Sequence, residues 1–338
     1  MVAIDWRDEL HLQPTTTPGI ELAVDWLPDR DTVAEQLGVA PDDALLDVPT
    51  DERNLVYRAL QLIGEATGFE GGWKAELGKR IPSGAGMGGA SSDAAATLRL
   101  AKSALADCRP NLAGVLTDEK MAEIAACLGS DVPFFLGNTD DSSTSDDASR
   151  HADKRTGVLA RALGRGEKLT YYDLPRDHLF LVVFPATALS TAAVYSRAKV
   201  SDSPKSGLDA INAFIRPSPN GNAGILYNAL AEPASGLSPR VAEALEYLRE
   251  SKANWKPESP FELECQMTGS GSACFAWLTS DGSLPETVSS AATIAATLRT
   301  TDVAKARELI ASIREQLPGG ALIQLVATCP AAPEIHIA

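Results

Sequence analysis

A glycine-rich stretch between two regular segments constrains the fold of this chain more than any other part of its sequence. It runs Ile-Pro-Ser-Gly-Ala-Gly-Met-Gly-Gly-Ala-Ser-Ser-Asp over residues 81–93. Alternating apolar residues over 73–77 predict a strand before it, and small residues predict a helix over about 91–106 after it. Glycine permits positive φ and close backbone approach, and the first turn of a helix offers free N–H groups. The sequence therefore predicts a strand, an anion-binding loop and a helix, in that order.

Two familiar phosphate-binding loops are excluded by what surrounds these glycines. Gly84, Gly86 and Gly89 match the spacing G-x-G-x-x-G, but a dinucleotide site also needs an acidic residue about 20 positions later, at the end of a strand. That place falls at residues 107–110 (DCRP), a predicted loop. A Walker loop needs a lysine after the glycines, and none follows them here. Because a plain turn needs neither four glycines nor two serines, we interpret the stretch as a phosphate site of another kind.

A second motif, LGSDVPFF over residues 128–135, places an acidic residue among glycine, proline and two phenylalanines. Gly129 is expected to end a helix over about 117–128. Asp131 is then either the N-cap of a short following turn, the commoner role for aspartate, or a partly desolvated general base. This motif alone favours the cap and leaves the base open.

A third motif, TGSGSA over residues 268–273, lies between two predicted strands. Its glycines favour a tight turn, with a ligand-binding loop as the alternative. Nothing within the motif itself decides between them.

Periodicity along the rest of the chain predicts a mixed α+β protein in two lobes. Apolar residues alternate over 20–26 and run continuously over 179–184, which predicts two strands. A helical pattern begins near Thr50, its expected cap, and ends at Gly68. Residues 138–156 are polar and rich in Asp and Ser, so we expect a solvated insertion there. Further predicted elements are a helix at 238–250, a strand at 273–278, a helix at 302–316, and loops at 201–223 and 251–262.

Charge and composition limit the functions open to the chain. The 30 Lys and Arg against 45 Asp and Glu give a net charge of −15, which argues against sequence-independent nucleic-acid binding because that needs a basic surface. An anionic substrate remains compatible, since a few local cations and helix N-termini can hold phosphate. The five cysteines form no C-x-x-C pair and the four histidines are scattered, so we expect no metal site. Without a membrane-length apolar run or a signal peptide, we expect a cytoplasmic protein.

Taken together, the three motifs resemble the GHMP kinase superfamily. PSGAGMGGASSDAAATL, LGSDVPFF and MTGSGSACF stand in that superfamily's order, and the resemblance covers roughly residues 1–300. It implies an α+β, two-lobed GHMP kinase fold. The N-terminal, ATP-binding lobe would be ribosomal protein S5 domain 2-like over residues 1–170, and the C-terminal lobe ferredoxin-like over 171–338. Shorter supporting matches are NLV at 54–56, GRGE at 164–167, STAAVY at 190–195, and Asn228 with EPA at 232–234.

The resemblance also implies a reaction and its residues. Asp93 directly follows the paired serines, as in the branch that phosphorylates the tertiary 2-hydroxyl of a cytidine diphosphate-linked methylerythritol, in the non-mevalonate route to isopentenyl diphosphate. Relatives acting on homoserine, mevalonate or galactose usually carry Ser-Ser-Ala. ATP with Mg²⁺ would be the phosphoryl donor, and Asp131 would be the catalytic acid/base. The protein would be a monomer or weak homodimer whose only partner is the small-molecule substrate. The residues implied at the ATP phosphates are Pro82, Ser83, Gly84, Ala85, Gly86, Met87, Gly88, Gly89, Ala90, Ser91 and Ser92, backed by Gly269, Ser270, Gly271 and Ser272, with Tyr195 stacking on the cytosine.

The departure from the family pattern lies at the start of the chain. Family members open with a strand Pro-Ala-Lys-x-Asn-Leu, whose lysine is catalytic, and a Gly-Tyr/Phe-His segment that binds the cytidine. Neither occurs here, and Lys74 and Lys79, the first lysines, come too late to replace that lysine by motif. We expect the true start to lie upstream and the 338-residue chain to be a poor kinase. The alternatives are a weakened nucleotide-binding paralogue and a GHMP kinase for another small alcohol, against which Asp93 argues.

Overall fold

The structure is a computed structural model, and its strands and helices follow the predicted α+β pattern. It describes residues 1–137, 159–172, 174, 178–199, 206–215, 225–254, 261–280, 310–313, 315–317 and 319–329. The strands are β1 (Glu9–Thr15), β2 (Gly19–Trp26), β3 (Gly72–Lys79), β4 (Leu159–Leu163), β5 (Lys168–Tyr172), β6 (Leu179–Phe184), β7 (Phe261–Met267), β8 (Cys274–Ser280) and β9 (Leu322–Ala327). The helices are α1 (Arg30–Leu37), α2 (Leu55–Thr67), α3 (Gly89–Cys108), α4 (Pro110–Ala113), α5 (Asp118–Leu128), α6 (Val132–Leu136), α7 (Thr191–Arg197), α8 (Gly207–Ile215), α9 (Ala231–Leu237) and α10 (Pro239–Asn254).

The first sheet has the order β1-β3-β2, with β1 antiparallel and β2 parallel to the central β3. The strands predicted at 20–26 and 73–77 are confirmed as β2 and β3. Trp73, Ala75 and Leu77 extend from β3 into a buried cluster with apolar residues of α2, α3 and α5. Burial of a large apolar side chain contributes about 1.5–3 kcal/mol. The cluster therefore fixes β3 against α3, the two elements that the glycine-rich stretch connects.

The helix predicted from Thr50 to Gly68 is present but begins later. It starts at Leu55, and Gly68 closes it with a φ of +69°. The predicted cap at Thr50 is wrong, because Asn54 is the N-cap and its side-chain oxygen accepts a hydrogen bond from the N–H of Val56 at 2.9 Å. Threonine and asparagine both favour N-caps, so the residue type at 50 could not reveal that the helix begins four residues further on.

The second sheet has the order β7-β8-β6-β9, and every neighbouring pair is antiparallel. The continuous apolar run at 179–184 is β6, and all six of its residues are buried. The helix predicted at 238–250 is α10, which packs on this sheet through Val241, Leu245 and Leu248. It begins at Pro239 as the sequence predicts, since proline suits the first helical position. The loop predicted over 251–262 is wrong at both ends, because α10 continues to Asn254 and β7 begins at Phe261.

The loop predicted over 201–223 contains a helix, α8, so the prediction is wrong for that part. Ile211 and Phe214 are buried one helical turn apart. The serines and prolines on either side of this short apolar segment hid its helical spacing. The insertion predicted at 138–156 and most of the helix predicted at 302–316 lie outside the described residues.

A third buried cluster joins the two sheets. It brings Trp26 of β2 and Leu37 of α1 together with Phe180 of β6 and Trp277 of β8. The Trp26 indole also donates a hydrogen bond to the carbonyl of Leu46 at 2.8 Å. These contacts fix the first sheet relative to the second. Along the described part of the chain, no helix combines the length and the apolar character needed to span a membrane.

Candidate functional site

The glycine loop, residues 80–88, connects the end of β3 to the start of α3. Gly84, Gly86 and Gly88 have φ values of +71°, +70° and +73°, a region that residues with side chains rarely adopt. The helix that follows is 20 residues long, and no side chain caps its N-terminus. Its first N–H groups and its dipole therefore favour an anion at this end.

Close packing places the glycine loop against both other motifs. A Cβ atom at Gly86 would lie 2.6 Å from the carbonyl oxygen of Gly271, and one at Gly88 would lie 2.8 Å from the ring of Phe135. The same position at Gly88 is 4.0 Å from Oδ2 of Asp131. The three sequence motifs therefore meet at one place.

The loop 268–273 is hydrogen-bonded directly to the glycine loop. The three bonds run from the N–H of Ser272 to the carbonyl of Gly84 (3.1 Å), from the N–H of Ala273 to the carbonyl of Ala85 (3.1 Å), and from the hydroxyl of Thr268 to the same Ala85 carbonyl (2.7 Å). The segment is a tight turn, since Gly271 N–H donates to the Thr268 carbonyl at 2.7 Å. It also fixes the backbone of the glycine loop, which the motif by itself did not reveal.

Asp131 occupies the N-cap position of α6, but its side chain makes no capping hydrogen bond. The capping role, which the motif alone favoured, is therefore wrong. The reason is local, because Pro133 has no N–H to donate at one of the positions that a cap normally binds. The half-buried carboxylate instead faces the glycine loop, and the hydroxyl of Ser130 donates to its Oδ1 at 3.3 Å.

Two serines lie in the first turn of α3, directly after the glycine loop. Ser91 and Ser92 are half-buried, and the hydroxyl of Ser92 donates to the carbonyl of Gly89 at 2.8 Å. Pro82 is buried, whereas Ser83 and Ala90 are exposed. A cavity of about 940 Å³ borders this region; its lining includes Arg80, Met87, Ser92, Asp93 and Phe135.

Tyr195 lies on α7 and is 61% exposed. It borders a cavity of about 420 Å³, together with Met267 and Gly269 at the edge of the loop 268–273. A second exposed tyrosine, Tyr227, lines the same cavity. Sequence reasoning missed Tyr227, because a single tyrosine in an irregular segment carries no periodic signal.

Asn228 was a loose motif match, and the structure gives it a contact. Its side-chain amide donates to the carbonyl of Met267 at 2.9 Å and to the carbonyl of Gly269 at 2.8 Å. Asn228 therefore supports the loop 268–273, which in turn supports the glycine loop.

A buried charged cluster at the end of β3 was also missed. The ammonium of Lys79 donates to Oδ2 of Asp93 at 2.8 Å and also pairs with Asp8. The sequence showed only a lysine two residues beyond the predicted strand and an aspartate after two serines. Among the described residues, no group of three or more His, Cys, Asp and Glu side chains is placed to hold a metal ion.

Comparisons with known sequences confirm the resemblance to GHMP kinases. The family model for the GHMP kinases N terminal domain matches residues 54–138, a range that contains the glycine loop and Asp131. A 4-diphosphocytidyl-2-C-methyl-D-erythritol kinase of Rhodopirellula baltica is 45% identical over 338 residues, covering 100% of this chain and 89% of that protein. One of Pelotomaculum thermopropionicum is 34% identical over 307 residues, covering 89% of this chain and 85% of that protein.

Solved structures agree on the fold. A crystal structure of 4-(cytidine 5′-diphospho)-2C-methyl-D-erythritol kinase matches with a TM-score of 0.58 and 26% identity, over 96% of this chain and 87% of that one. Homoserine kinase from Cytophaga hutchinsonii matches with a TM-score of 0.55 over 97% of this chain and 88% of that one. Its identity is 13%, so this second likeness shows the fold alone. The predicted GHMP kinase fold with mixed helices and sheets is confirmed.

Proposed function

The chain belongs to the 4-diphosphocytidyl-2-C-methyl-D-erythritol kinase family of GHMP kinases, and on that premise we propose that it phosphorylates the 2-hydroxyl of 4-diphosphocytidyl-2-C-methyl-D-erythritol. It is a small-molecule kinase, and this reaction is a step of the non-mevalonate route to isopentenyl diphosphate. The observation that carries the proposal is the meeting of the three motifs, with the Asp131 carboxylate 4.0 Å from the Cβ position of Gly88. A carboxylate is thus placed beside the proposed phosphate loop, where it can take the proton of an alcohol as the phosphoryl group is transferred.

The segment Pro82–Ser92 is proposed to hold the phosphates of ATP. Its left-handed glycines and the uncapped start of α3 fit a phosphate group, because backbone N–H groups can approach it without side chains in the way. Gly269–Ser272 keep this segment in place through the bonds to Gly84 and Ala85. The segment's role is to bind and orient, since phosphoryl transfer depends mostly on positioning and electrostatic stabilisation.

ATP supplies the transferred phosphoryl group, and Mg²⁺ would screen the charge on its phosphates. The chain fits a magnesium ion that arrives with the nucleotide. Mg²⁺ in kinases is usually held by phosphate oxygens and one or two carboxylates rather than by a cage of side chains. Within the part of the chain that the structure describes, no such cage of acidic and histidine side chains exists.

Asp131 is proposed as the acid/base that takes the proton of the substrate hydroxyl. Its carboxylate is free of a capping bond, so its oxygens are oriented toward the loop rather than toward the α6 backbone. Accepting the proton as the new O–P bond forms makes the tertiary alcohol a better nucleophile. In the same step the bond between the γ-phosphorus of ATP and the β–γ bridging oxygen would break, and ADP would leave.

Filling the loop at Ser92 should abolish ATP binding. We expect Ser92→Phe to place a ring at the start of α3, where the phosphates would bind, and so to lower ATP affinity at least ~100-fold, because the occupied volume excludes the anion. Isothermal titration calorimetry with ATP and Mg²⁺ measures this, and thermal unfolding checks that the variant is folded. Unchanged ATP affinity in a folded Ser92→Phe protein would refute the phosphate-loop assignment.

Tyr195 is proposed to stack on the cytosine of the substrate, because it is an exposed aromatic ring beside a cavity that borders the loop 268–273. Stacking of a base on an aromatic side chain contributes about 1–3 kcal/mol, so Tyr195→Ala should raise the KM for the cytidine-linked substrate roughly 5- to 150-fold. The KM for ATP should stay unchanged. Tyr195→Phe keeps the ring and should retain most of the affinity; an unchanged substrate KM in Tyr195→Ala would remove Tyr195 from this role.

The alternatives are not favoured. Over the whole of its length this chain is 45% identical to a 4-diphosphocytidyl-2-C-methyl-D-erythritol kinase. This identity argues against a nucleotide-binding paralogue without kinase activity, and against a kinase for another small alcohol. A cytoplasmic location, a monomer or weak homodimer, and a division into lobes at residue 170 remain proposals. The first is supported by the five cysteines of the sequence, an odd number without a C-x-x-C pair, which is typical of reduced thiols in a cytosolic protein.

A further inference from the structure

The buried charged cluster of Asp8, Lys79 and Asp93 lies at the base of the glycine loop. Lys79 is the last residue of β3, and Asp93 lies near the start of α3, so the ion pair joins the two ends of the loop. The side chains of Asp8, Lys79 and Asp93 are only 2%, 4% and 7% exposed, respectively. The Lys79 ammonium lies 3.6 Å from the Cβ position of Gly89, directly beneath the first residue of α3.

Asp8 extends this cluster to the first residues of the loop. Besides pairing with Lys79, its carboxylate accepts the N–H of Arg80 at 2.6 Å and the N–H of Ile81 at 2.9 Å. The entry into the glycine loop and the start of α3 are therefore both tied to Lys79 and its two acidic partners.

The charges in the cluster are not explained by stability alone. A buried ion pair gains little over a well-packed apolar pair, because removing two charges from water costs about as much as their attraction returns. Burial alone would lower the pKa of Lys79, but the carboxylates of Asp93 and Asp8 outweigh it and raise that pKa. Lys79 is therefore a cation held between two acids, a geometry that fixes position through directed bonds.

The two acids are not equivalent. Burial raises the pKa of Asp93 to about 7, against the opposing effect of Lys79, and the nearby Asp8 adds to the rise. Asp8 has three donors directed at it, whereas the described bonds to the Asp93 carboxylate come from Lys79. The bond from Lys79, together with the adjoining Asp8 carboxyl group, thus links Asp93 of α3 to the rest of the cluster.

We propose that Lys79, with Asp8 and Asp93, positions the first turn of α3 against the glycine loop so that the phosphates of ATP meet a preformed site. These three are positioning residues and do not contact the reacting atoms. The inference rests on the proposed function, since it takes the loop and the start of α3 as the phosphate site. A loop with three left-handed glycines has many accessible conformations, and fixing both of its ends removes the cost of ordering it when ATP binds.

A merely structural role predicts a different experimental result. If the cluster only stabilised the fold, its loss would lower the melting temperature and the folded fraction, which reduces apparent kcat but leaves the KM of the folded molecules unchanged. If it positions the loop, its loss raises the KM for ATP in protein that is fully folded. The discriminating measurement is therefore the KM for ATP, read together with thermal unfolding.

The test compares three variants of the full chain, with Gly86→Ala as a fourth that changes the glycine loop itself. Lys79→Met/Asp93→Ala removes the ion pair at the start of α3. It takes the cation from the buried Asp8 carboxylate, which keeps the N–H groups of Arg80 and Ile81 as partners. If thermal unfolding shows that this variant does not fold, the same variant with Asp8→Asn, which removes all three charges, takes its place. Asp93→Asn keeps an oxygen that can accept from Lys79 and serves as the conservative rescue. The matched control is Lys74→Met/Glu76→Ala, which removes an exposed ion pair of β3. The Lys74 ammonium and Oε1 of Glu76 are 2.8 Å apart.

We expect the KM for ATP to rise about 10- to 100-fold in Lys79→Met/Asp93→Ala, with kcat at saturating ATP within about threefold of the parent. Asp93→Asn should stay within about threefold of the parent KM, and the control should not change it. A KM for ATP within twofold of the parent in the folded double variant would overturn the positioning role. Gly86→Ala separates the two proposals. If Gly86→Ala raises the KM for ATP and the double variant does not, only the positioning role fails. If neither variant changes the KM for ATP, the phosphate-site assignment fails together with the positioning role.

Discussion

Asp131→Asn is expected to lower kcat for phosphorylation of the cytidine-linked methylerythritol by about 10²–10⁴-fold, the usual contribution of one positioned acid–base group. Asparagine has the same shape as aspartate but cannot take the hydroxyl proton. The Asp131 side chain makes no capping bond, so the change removes no contact that holds α6. The KM for ATP and the melting temperature should therefore remain close to those of the parent.

The matched control for this variant is Asp42→Asn, which makes the same chemical change at an exposed position in the segment between α1 and α2. Steady-state kinetics of the three proteins at saturating ATP measure the effect. A kcat within threefold of the parent for Asp131→Asn would remove the residue from its assigned role, whatever the behaviour of the control.

Gly86→Ala is expected to lower kcat/KM for ATP by about 100-fold or more. Its Cβ would lie 2.6 Å from the carbonyl oxygen of Gly271 and 2.9 Å from that of Thr268, and its φ of +70° costs an alanine about 1–2 kcal/mol. Both contacts are backbone atoms of the loop that fixes the glycine loop, so one of the two loops must move. A displacement of about 1 Å at a phosphate site is enough for a loss of this size.

Gly64→Ala is the matched control for that substitution. Gly64 lies inside α2, where a Cβ would meet nothing within 4 Å, so alanine should stabilise the helix by about 1 kcal/mol. Kinetics with varied ATP and a thermal melt of each protein separate the two effects. If folded Gly86→Ala retained the parental kcat/KM for ATP, the assignment of the glycine loop as the phosphate site would fail.

The sequence could predict the three motifs because each is local. The glycine loop shows its function through residue types within a dozen positions, and the strand before it through alternation. The bonds between the glycine loop and the loop 268–273 could not be predicted from the residues alone. They join Thr268 to Ala85 across 183 positions, and no local pattern encodes which two turns will meet.

Asp131 and Lys79 illustrate the same limit at the level of single side chains. Capping and catalysis call for the same residue type at the same kind of turn, so the role of Asp131 depends on where its carboxylate points. Lys79 has the sequence context of an exposed strand end, yet it is buried, because Asp8 from the segment before β1 and Asp93 from α3 both reach it. In both cases the deciding contacts exist only once the chain has folded.

The central claim is that this chain transfers phosphate from ATP to the 2-hydroxyl of 4-diphosphocytidyl-2-C-methyl-D-erythritol. The most direct measurement is a single-turnover reaction with γ-³²P-labelled ATP and the protein in excess, so that even slow transfer is registered, followed by identification of the labelled product. Homoserine, mevalonate and galactose serve as competing acceptors in parallel reactions. The account predicts label on the cytidine-linked methylerythritol at its 2-position, and a large loss of label with Asp131→Asn. Label on another acceptor and none on this substrate would contradict it.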